Sequence, residues 1–362
     1  MVEKLIDCGF QPSLIDECVF YKDDVIFIVY VDDGIFIGKD DSKISHIIQQ
    51  LCNAHLDIED QGHPVDYVGV NIKQSRDGTI DLTQRALIDT IIEECNVSGV
   101  YTKPVPAKSS MILHAFEDAP AFDLDFNYRS IVGKLNYLAQ TTRPDIMLAV
   151  HQVAKYSSCP KREHGEAIIY IARYLMRSRD VGLQFKPDQS KGFENFCDAD
   201  FSGNWRHATA EVDPATAKSR SGWITFYAGC PITFASKIQS QCALSTTEAE
   251  YISLSQSLRD VIPVMQLLEE MKSRGFEVIC TSPHVYCKTF EDNSGALELV
   301  RLPKLRPRTK HINVCYHHFC EHVQKGLIKI FPIDTRDQVA DALTKPLAQN
   351  AFYRHRKYMC GQ

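Results

Sequence analysis

Between residues 181 and 238 one β-rich stretch follows another, "GLQFKP", "FENFCDADF", "SGWITFYAG" and "PITFASK", and the period then changes at "TTEAEYISLSQSLRDVIPVMQLLEEMKSR". Leu254, Leu258, Val261 and Met265 recur there at helical spacing, so a long helix follows the strands. A strand "HVYCKTFED", a helix from about 293, a basic loop, another helix, the strand "LIKIFPI" and a last helix from near Asp337 complete the order. Consecutive strands followed by helix and strand in alternation predict a mixed sheet with helices packed over its faces.

The first half is organised differently. "VIFIVYVDDGIFIG" reads as two strands around a tight Asp33-Gly34 turn, and Ser42 sits where an N-cap belongs ahead of Ile44, Ile47, Ile48 and Leu51. Strand patterns follow in "DYVGVNIKQ" and "TIDLTQ", then a helix over roughly 84–95. Residues 103–126 mix Pro, Ala, Ser and acids without a period, as a linker does. Helical stretches come next, the second with Pro144 early, where its missing N–H is not needed. Lys134, Arg143, Lys155, Lys161, Arg162, Arg173, Arg177 and Arg179 lie along them, a phosphate-tracking face if they share one and ordinary solvated faces otherwise.

At 362 residues and 44% hydrophobic content the chain can bury two or three cores. No apolar run of about 18 residues is present to span a bilayer, and the N-terminus lacks a secretory layout, which points to an intracellular protein with no membrane partner. Thirteen cysteines without a C-x-x-C pair fit reduced thiols better than a disulfide framework. The net charge of −6 speaks against nucleic acid only as a sum, because local fields are what meet phosphate.

Four carboxylates fall at chemically useful places: Asp198 within a strand, Glu250 in the first turns of the long helix, Asp292 at a strand end and Asp341 in the last helix. Acids brought together need a cation, and oxygen ligands suit magnesium. Two such ions about 3.5–4 Å apart support phosphodiester hydrolysis. Some alternatives stay open at this level. Glu250 lies about 50° from the centre of the buried stripe and Glu248 about 110°, which favours Glu250. Asp198 and Asp200 share a strand face, and Asp337 and Asp341 share a helix face at i and i+4, Asp337 having the look of a first-turn acid.

"YVDDGIFIG", "GKLNYLAQTTRPDI", "CDADFSGNW", "KSRSGWITFYAGCPITFASKIQSQCALSTTEAEY", "EDNSGALEL", "RTKHI" and "ADALTKPL", in this order, resemble the Pol polyprotein of copia-type LTR retrotransposons over almost the whole chain. The resemblance implies an α/β and α+β architecture: a truncated reverse-transcriptase palm (1–102), the linker (103–126), a helical thumb or connection (127–180) and a ribonuclease H-like domain (181–362) with a mixed five-stranded sheet and flanking helices. It selects Asp198, Glu250, Asp292 and Asp341 as the catalytic and metal-holding acids, with two Mg2+ ions, or Mn2+, as cofactor and RNA/DNA hybrid as substrate. Other Pol segments are implied as partners. Asp32 and Asp33 match the polymerase hairpin, whose companion carboxylate on an earlier strand falls before Met1; Asp7, Asp16, Asp23 and Asp24 do not fit that place. Polymerase activity is therefore not expected of this chain alone.

The segment "RLPKLRPRTKH" reads as an exposed basic loop, kept out of a regular helix by Pro303 and Pro307. Arg306, Arg308, Lys310 and His311 are its candidate hybrid contacts. Cys315, His318 and His322 share a helical face but lack the paired-ligand knuckle of a structural zinc site. Pro263 should bend the long helix near 259–263 without moving its catalytic end. A rival to the enzyme is a degenerate copy that only binds nucleic acid.

Overall fold

The computed structural model describes residues 2–108, 113–115, 118–205, 207, 213–280, 284–301 and 317–362, and these form three sheets. The basic-loop residues Arg306, Arg308, Lys310 and His311, and Cys315 beyond them, lie outside the described residues.

Helix α1 (Val2–Asp7) leads into an antiparallel sheet of β1 (Gln11–Pro12), β2 (Val19–Lys22), β3 (Val25–Tyr30) and β4 (Asp33–Ile37), in that order. Tyr30 pairs with Asp33, so the two-residue turn is Val31-Asp32, two residues earlier than the expected Asp33-Gly34 turn. The reason is packing. A Cβ on Gly34 would come within 2.6 Å of the Phe27 ring, which stacks on Phe36 at 4.1 Å, so the glycine makes room across the strands. Val31 takes the strained φ of 54° that the shifted turn requires. Helix α2 (Asp41–Asn53) follows, capped by Asp40, whose side chain accepts from the Ser42 N–H; Ser42 is not the cap.

The second sheet is β5 (Asp66–Tyr67), β6 (Val70–Gln74), β7 (Ile80–Thr83) and, after the intervening helices α3 (Arg85–Glu94), α4 (Tyr128–Thr141), α5 (Met147–Ala154) and α6 (Arg162–Arg177), β8 (Leu183–Phe185). "DYVGVNIKQ" is thus a small hairpin, turned at Val68-Gly69, and no single strand. The "GLQFKP" strand pairs with Ile80–Leu82 and does not join the five-stranded sheet. Gly182 permits this: a Cβ there would sit 2.0 Å from the Leu82 carbonyl oxygen.

Several of the basic residues along α4–α6 are engaged with acids of the chain. Lys134 pairs with Glu94, Lys155 with Asp213 at 2.8 Å, Arg162 with Asp123 at 2.8 Å and Arg179 with Asp89 at 3.1 Å. Arg143 is wholly buried against Asp145. Residues from 103 to 126 carry no helix or strand among those described, yet they pack: Phe122 meets Phe126 and Tyr128 edge-on, and a Cβ on Gly165 would touch Leu124 and Phe122 at 2.6 and 2.7 Å.

The third sheet joins β9 (Phe193–Asp200), β10 (Arg220–Tyr227), β11 (Cys230–Ile238), β12 (Cys287–Glu291) and β13 (Ile328–Pro332) in the order β11-β10-β9-β12-β13. The first three are antiparallel neighbours, whereas β12 runs parallel to both β9 and β13. Strand alternation divides the core in two. Phe196, Ile224 and Phe226 face α3–α6 and the C-terminal helix Gln349–Met359. Cys197, Trp223 and Ala235 face the long helix α7 (Thr246–Ser273), which buries Leu254, Leu258, Val261 and Met265 against them. Helix α7 runs through Pro263, which lies on its exposed side.

Past α8 (Ser294–Arg301), the expected last helix divides. A single 3-10 turn, Thr335–Asp337, is followed by extended Gln338 and a separate short helix, Asp341–Thr344. The Gln338 side chain donates to the Cys197 carbonyl at 2.8 Å and anchors this break to the sheet. Asp337 and Asp341 therefore do not share a helix face; Asp337 is exposed and Asp341 buried.

Candidate active site

Three of the four acids meet at the end of β9 in the five-stranded sheet. Ligand oxygens of Asp198, Glu250 and Asp292 lie within 4.8 Å of one another, the one such group among the described residues. The fold delivers them from three directions. Asp198 comes from β9 and lies opposite Gly222 of β10. Glu250 comes from the first turns of α7, which Ser245 caps by accepting from the Glu248 N–H. Glu248 itself accepts from the Leu244 N–H at 2.7 Å, so its carboxylate serves the helix start while Glu250 turns to the sheet. Asp292 follows β12, and its Oδ2 accepts from Thr335 at 2.7 Å.

Asp341 completes the cluster from the short helix Asp341–Thr344. The charges of Asp341 and Asp198 act on each other, and Thr344, on the same short helix, donates to Asp198 Oδ2. Gly222 makes this approach possible: a Cβ there would lie 2.7 Å from Thr344 Cγ2 and 2.9 Å from Leu343 Cβ. Gly295 does the same for α8 beside α7, since its Cβ would lie 2.5 Å from Thr247 Oγ1.

Electrostatically the cluster is crowded. Burial, then the charge of neighbouring acids, pushes the Glu250 carboxyl far above the usual carboxylate range and raises Asp341 to about 7. Burial likewise raises Asp198, against the opposing pull of Lys345 and Thr344. Glu250 Oε2 is buried with no hydrogen-bond partner. Three converging carboxylates, of which Glu250 has an unsatisfied buried oxygen, form a donor set fitted to hard divalent cations.

A fifth acid was not singled out from sequence. Glu291 is fully buried on the α7 side of β12, accepts from the Asn293 N–H at 3.1 Å and is pushed by burial up to about 8. The signal was present in the alternation of Cys287, Thr289 and Glu291, which share one buried face.

Residues 1–109 match the family model described as reverse transcriptase (RNA-dependent DNA polymerase). The chain is 32% identical to the retrovirus-related Pol polyprotein from transposon RE1 of Arabidopsis thaliana over 96% of its own length and 23% of that protein. It is 30% identical to the corresponding Pol polyprotein from transposon TNT 1-94 of Nicotiana tabacum, over 93% of this chain and 25% of that one. Over nearly its whole length the chain is similar to the Pol polyproteins of copia-type retrotransposons. It spans about a quarter of the length of these copia-type relatives. A solved structure, the N-terminal RNase H domain of rv2228c from Mycobacterium tuberculosis fused to maltose binding protein, aligns with 46% of this chain and 96% of that one. The identity is 12% and the TM-score 0.26, a level that establishes no likeness of fold.

The hairpin acids lie in the part of the chain that matches the reverse-transcriptase model. Asp32 and Asp33 are both exposed at the β3–β4 turn and belong to no group of three metal-competent side chains among the described residues. Among the described residues no helix is long and apolar enough to cross a membrane.

Proposed function

We propose that this Pol segment cleaves the RNA strand of RNA/DNA hybrids at the Asp198, Glu250, Asp292 and Asp341 cluster, in a ribonuclease H-like domain built on the five-stranded sheet. The observation that carries the reading is the convergence of Asp198, Glu250 and Asp292 oxygens within 4.8 Å, with Glu250 Oε2 buried and unpartnered. Asp198, Glu250 and Asp292 would hold one Mg2+, or Mn2+, and Asp198 with Asp341 a second. Bound there, the ions supply Lewis-acid activation of water and neutralisation of the leaving oxygen.

The protein's own groups prepare this chemistry. Thr344 and Thr335 each donate to one oxygen of Asp198 and Asp292, fixing carboxylate orientation and leaving the other oxygen for a cation. Exclusion of water by the cores on both faces of the sheet strengthens every charge interaction at its end. Hybrid selectivity would come from duplex shape and 2′-hydroxyl contacts. In an assay with hybrid labelled on the RNA strand, we expect Mg2+-dependent cleavage of the RNA and none of the DNA strand. Salt-sensitive binding without cleavage would support the rival, a copy that only holds nucleic acid.

A second reading follows from the reverse-transcriptase match over residues 1–109 and the exposure of Asp32 and Asp33. With a further carboxylate supplied by another Pol segment, that hairpin would serve nucleotide addition. Primer extension restored by adding such a segment in trans supports it.

A further inference from the structure

The cluster contains one cation that the proposed reaction does not use. Lys345 follows the short helix Asp341–Thr344 at once, in extended backbone, and its Nζ lies 2.8 Å from Asp341 Oδ1. Its charge also acts on Asp198 and Asp292. The backbone holds it in place, because the Lys345 N–H donates to the Asp341 carbonyl at 3.0 Å and Thr344 is tied to Asp198. The side chain is nonetheless 38% exposed, so the ammonium has an open route to solvent.

We propose that Lys345 is a tethered competitor for the divalent cation: its ammonium neutralises the acid cluster when no metal is bound and must withdraw, or be opposed, when metal binds. This rests on the metal-site reading above. The geometry favours competition because the ammonium bonds the very carboxylate, Asp341, that would share the second ion with Asp198. An ammonium and a divalent cation a few ångströms apart repel strongly in a half-buried site, so the two cannot both be well accommodated there. The consequence is regulatory. Lys345 sets how much free metal the site needs, and it holds the acids assembled until metal arrives.

The test uses the full chain with Mn2+ as the probe, its binding followed by the electron paramagnetic resonance of free ion and its stability by thermal unfolding in chelator. Lys345→Gln should tighten Mn2+ binding by about tenfold, the effect of one nearby charge in a partly buried site, and lower Tm in chelator. Lys345→Arg, which keeps the charge, should behave like the wild type on chelator stability. Equal Mn2+ affinity in wild type and Lys345→Gln, with binding present in both, overturns the competitor role and leaves the metal site standing. Weaker binding in Lys345→Gln also overturns it, in favour of a lysine that merely orders Asp341. No Mn2+ binding in any variant sinks the metal-site reading together with this one.

Discussion

Asp198→Asn should abolish cleavage of the hybrid's RNA strand, by at least about a hundredfold, and at the same time raise the thermal stability of the metal-free protein. The first effect follows because loss even of a residue supporting a metal ligand weakens such sites by about 10–100-fold, and Asp198 is placed to be a ligand itself. The second follows from burial: Asp198 is 2% exposed among three other acids, and its carboxyl is raised above its unfolded value. Such a group contributes stability that is full below its unfolded pKa and is lost as pH rises through its folded one. The asparagine variant has nothing to lose in that window. Its advantage in Tm should therefore widen in chelator as pH rises above the ordinary aspartate value of 3.8 and shrink when Mg2+ is added to both proteins. Asparagine keeps an oxygen for Thr344, so the short helix that carries Asp341 should stay docked. Calorimetry across pH, alongside the cleavage assay, checks both arms; a variant that is inactive and less stable at every pH would mark Asp198 as structural.

The second large effect belongs to "TTRPDI". Arg143 and Asp145 are both fully buried and joined by two 2.8 Å bonds, Nε to Oδ1 and Nη2 to Oδ2. The guanidinium also donates to the Ser178 carbonyl at 3.0 Å and its hydroxyl at 2.8 Å, and Tyr174 donates to Asp145. These bonds fasten the start of α5 to the end of α6, in the core that supports one face of the five-stranded sheet. Arg143→Met should destabilise the protein by about 3–5 kcal/mol, because it strands a buried carboxylate. Replacing both partners, Arg143→Met with Asp145→Leu, should recover most of that loss. The pH dependence should reverse too. In the wild type the guanidinium holds Asp145 below its unfolded value, so the pair's contribution is present above that value and fades as pH falls. With Arg143 gone, acid should help by protonating Asp145. Urea unfolding at pH 7 and at pH values below Asp145's ordinary 3.8 measures both signs, and a double variant as unstable as the single would refute the account of the pair.

What the sequence made legible was periodicity. The long helix buries the four apolar residues its spacing picks out, and the order of strands and helices yields the mixed five-stranded sheet. What it hid was set by contacts between distant residues. The hairpin turn moved because Gly34 is required under Phe27, and β8 left its expected sheet because Gly182 lets it lie against Leu82. The last helix divides where Gln338 bonds to Cys197, 141 residues away in sequence. At the site, residue position favoured Glu250 over Glu248 but left Asp198 and Asp200 open, and it was the resemblance that selected Asp198; the fold brings Asp198, Glu250 and Asp292 together. Glu291 escaped because its neighbour Asp292 drew the attention of a motif, while its own burial depends on the partner strand and α7. Lys345 escaped because a lysine after an acidic helix reads as ordinary capping until its distance to Asp341 is known.

The most direct measurement is an anomalous difference map from crystals of this chain grown with Mn2+. The account predicts a peak at the end of the five-stranded sheet, about 2.0–2.3 Å from oxygens of Asp198, Glu250 and Asp292. A map with no peak there, or with manganese bound only elsewhere on the chain, would contradict it.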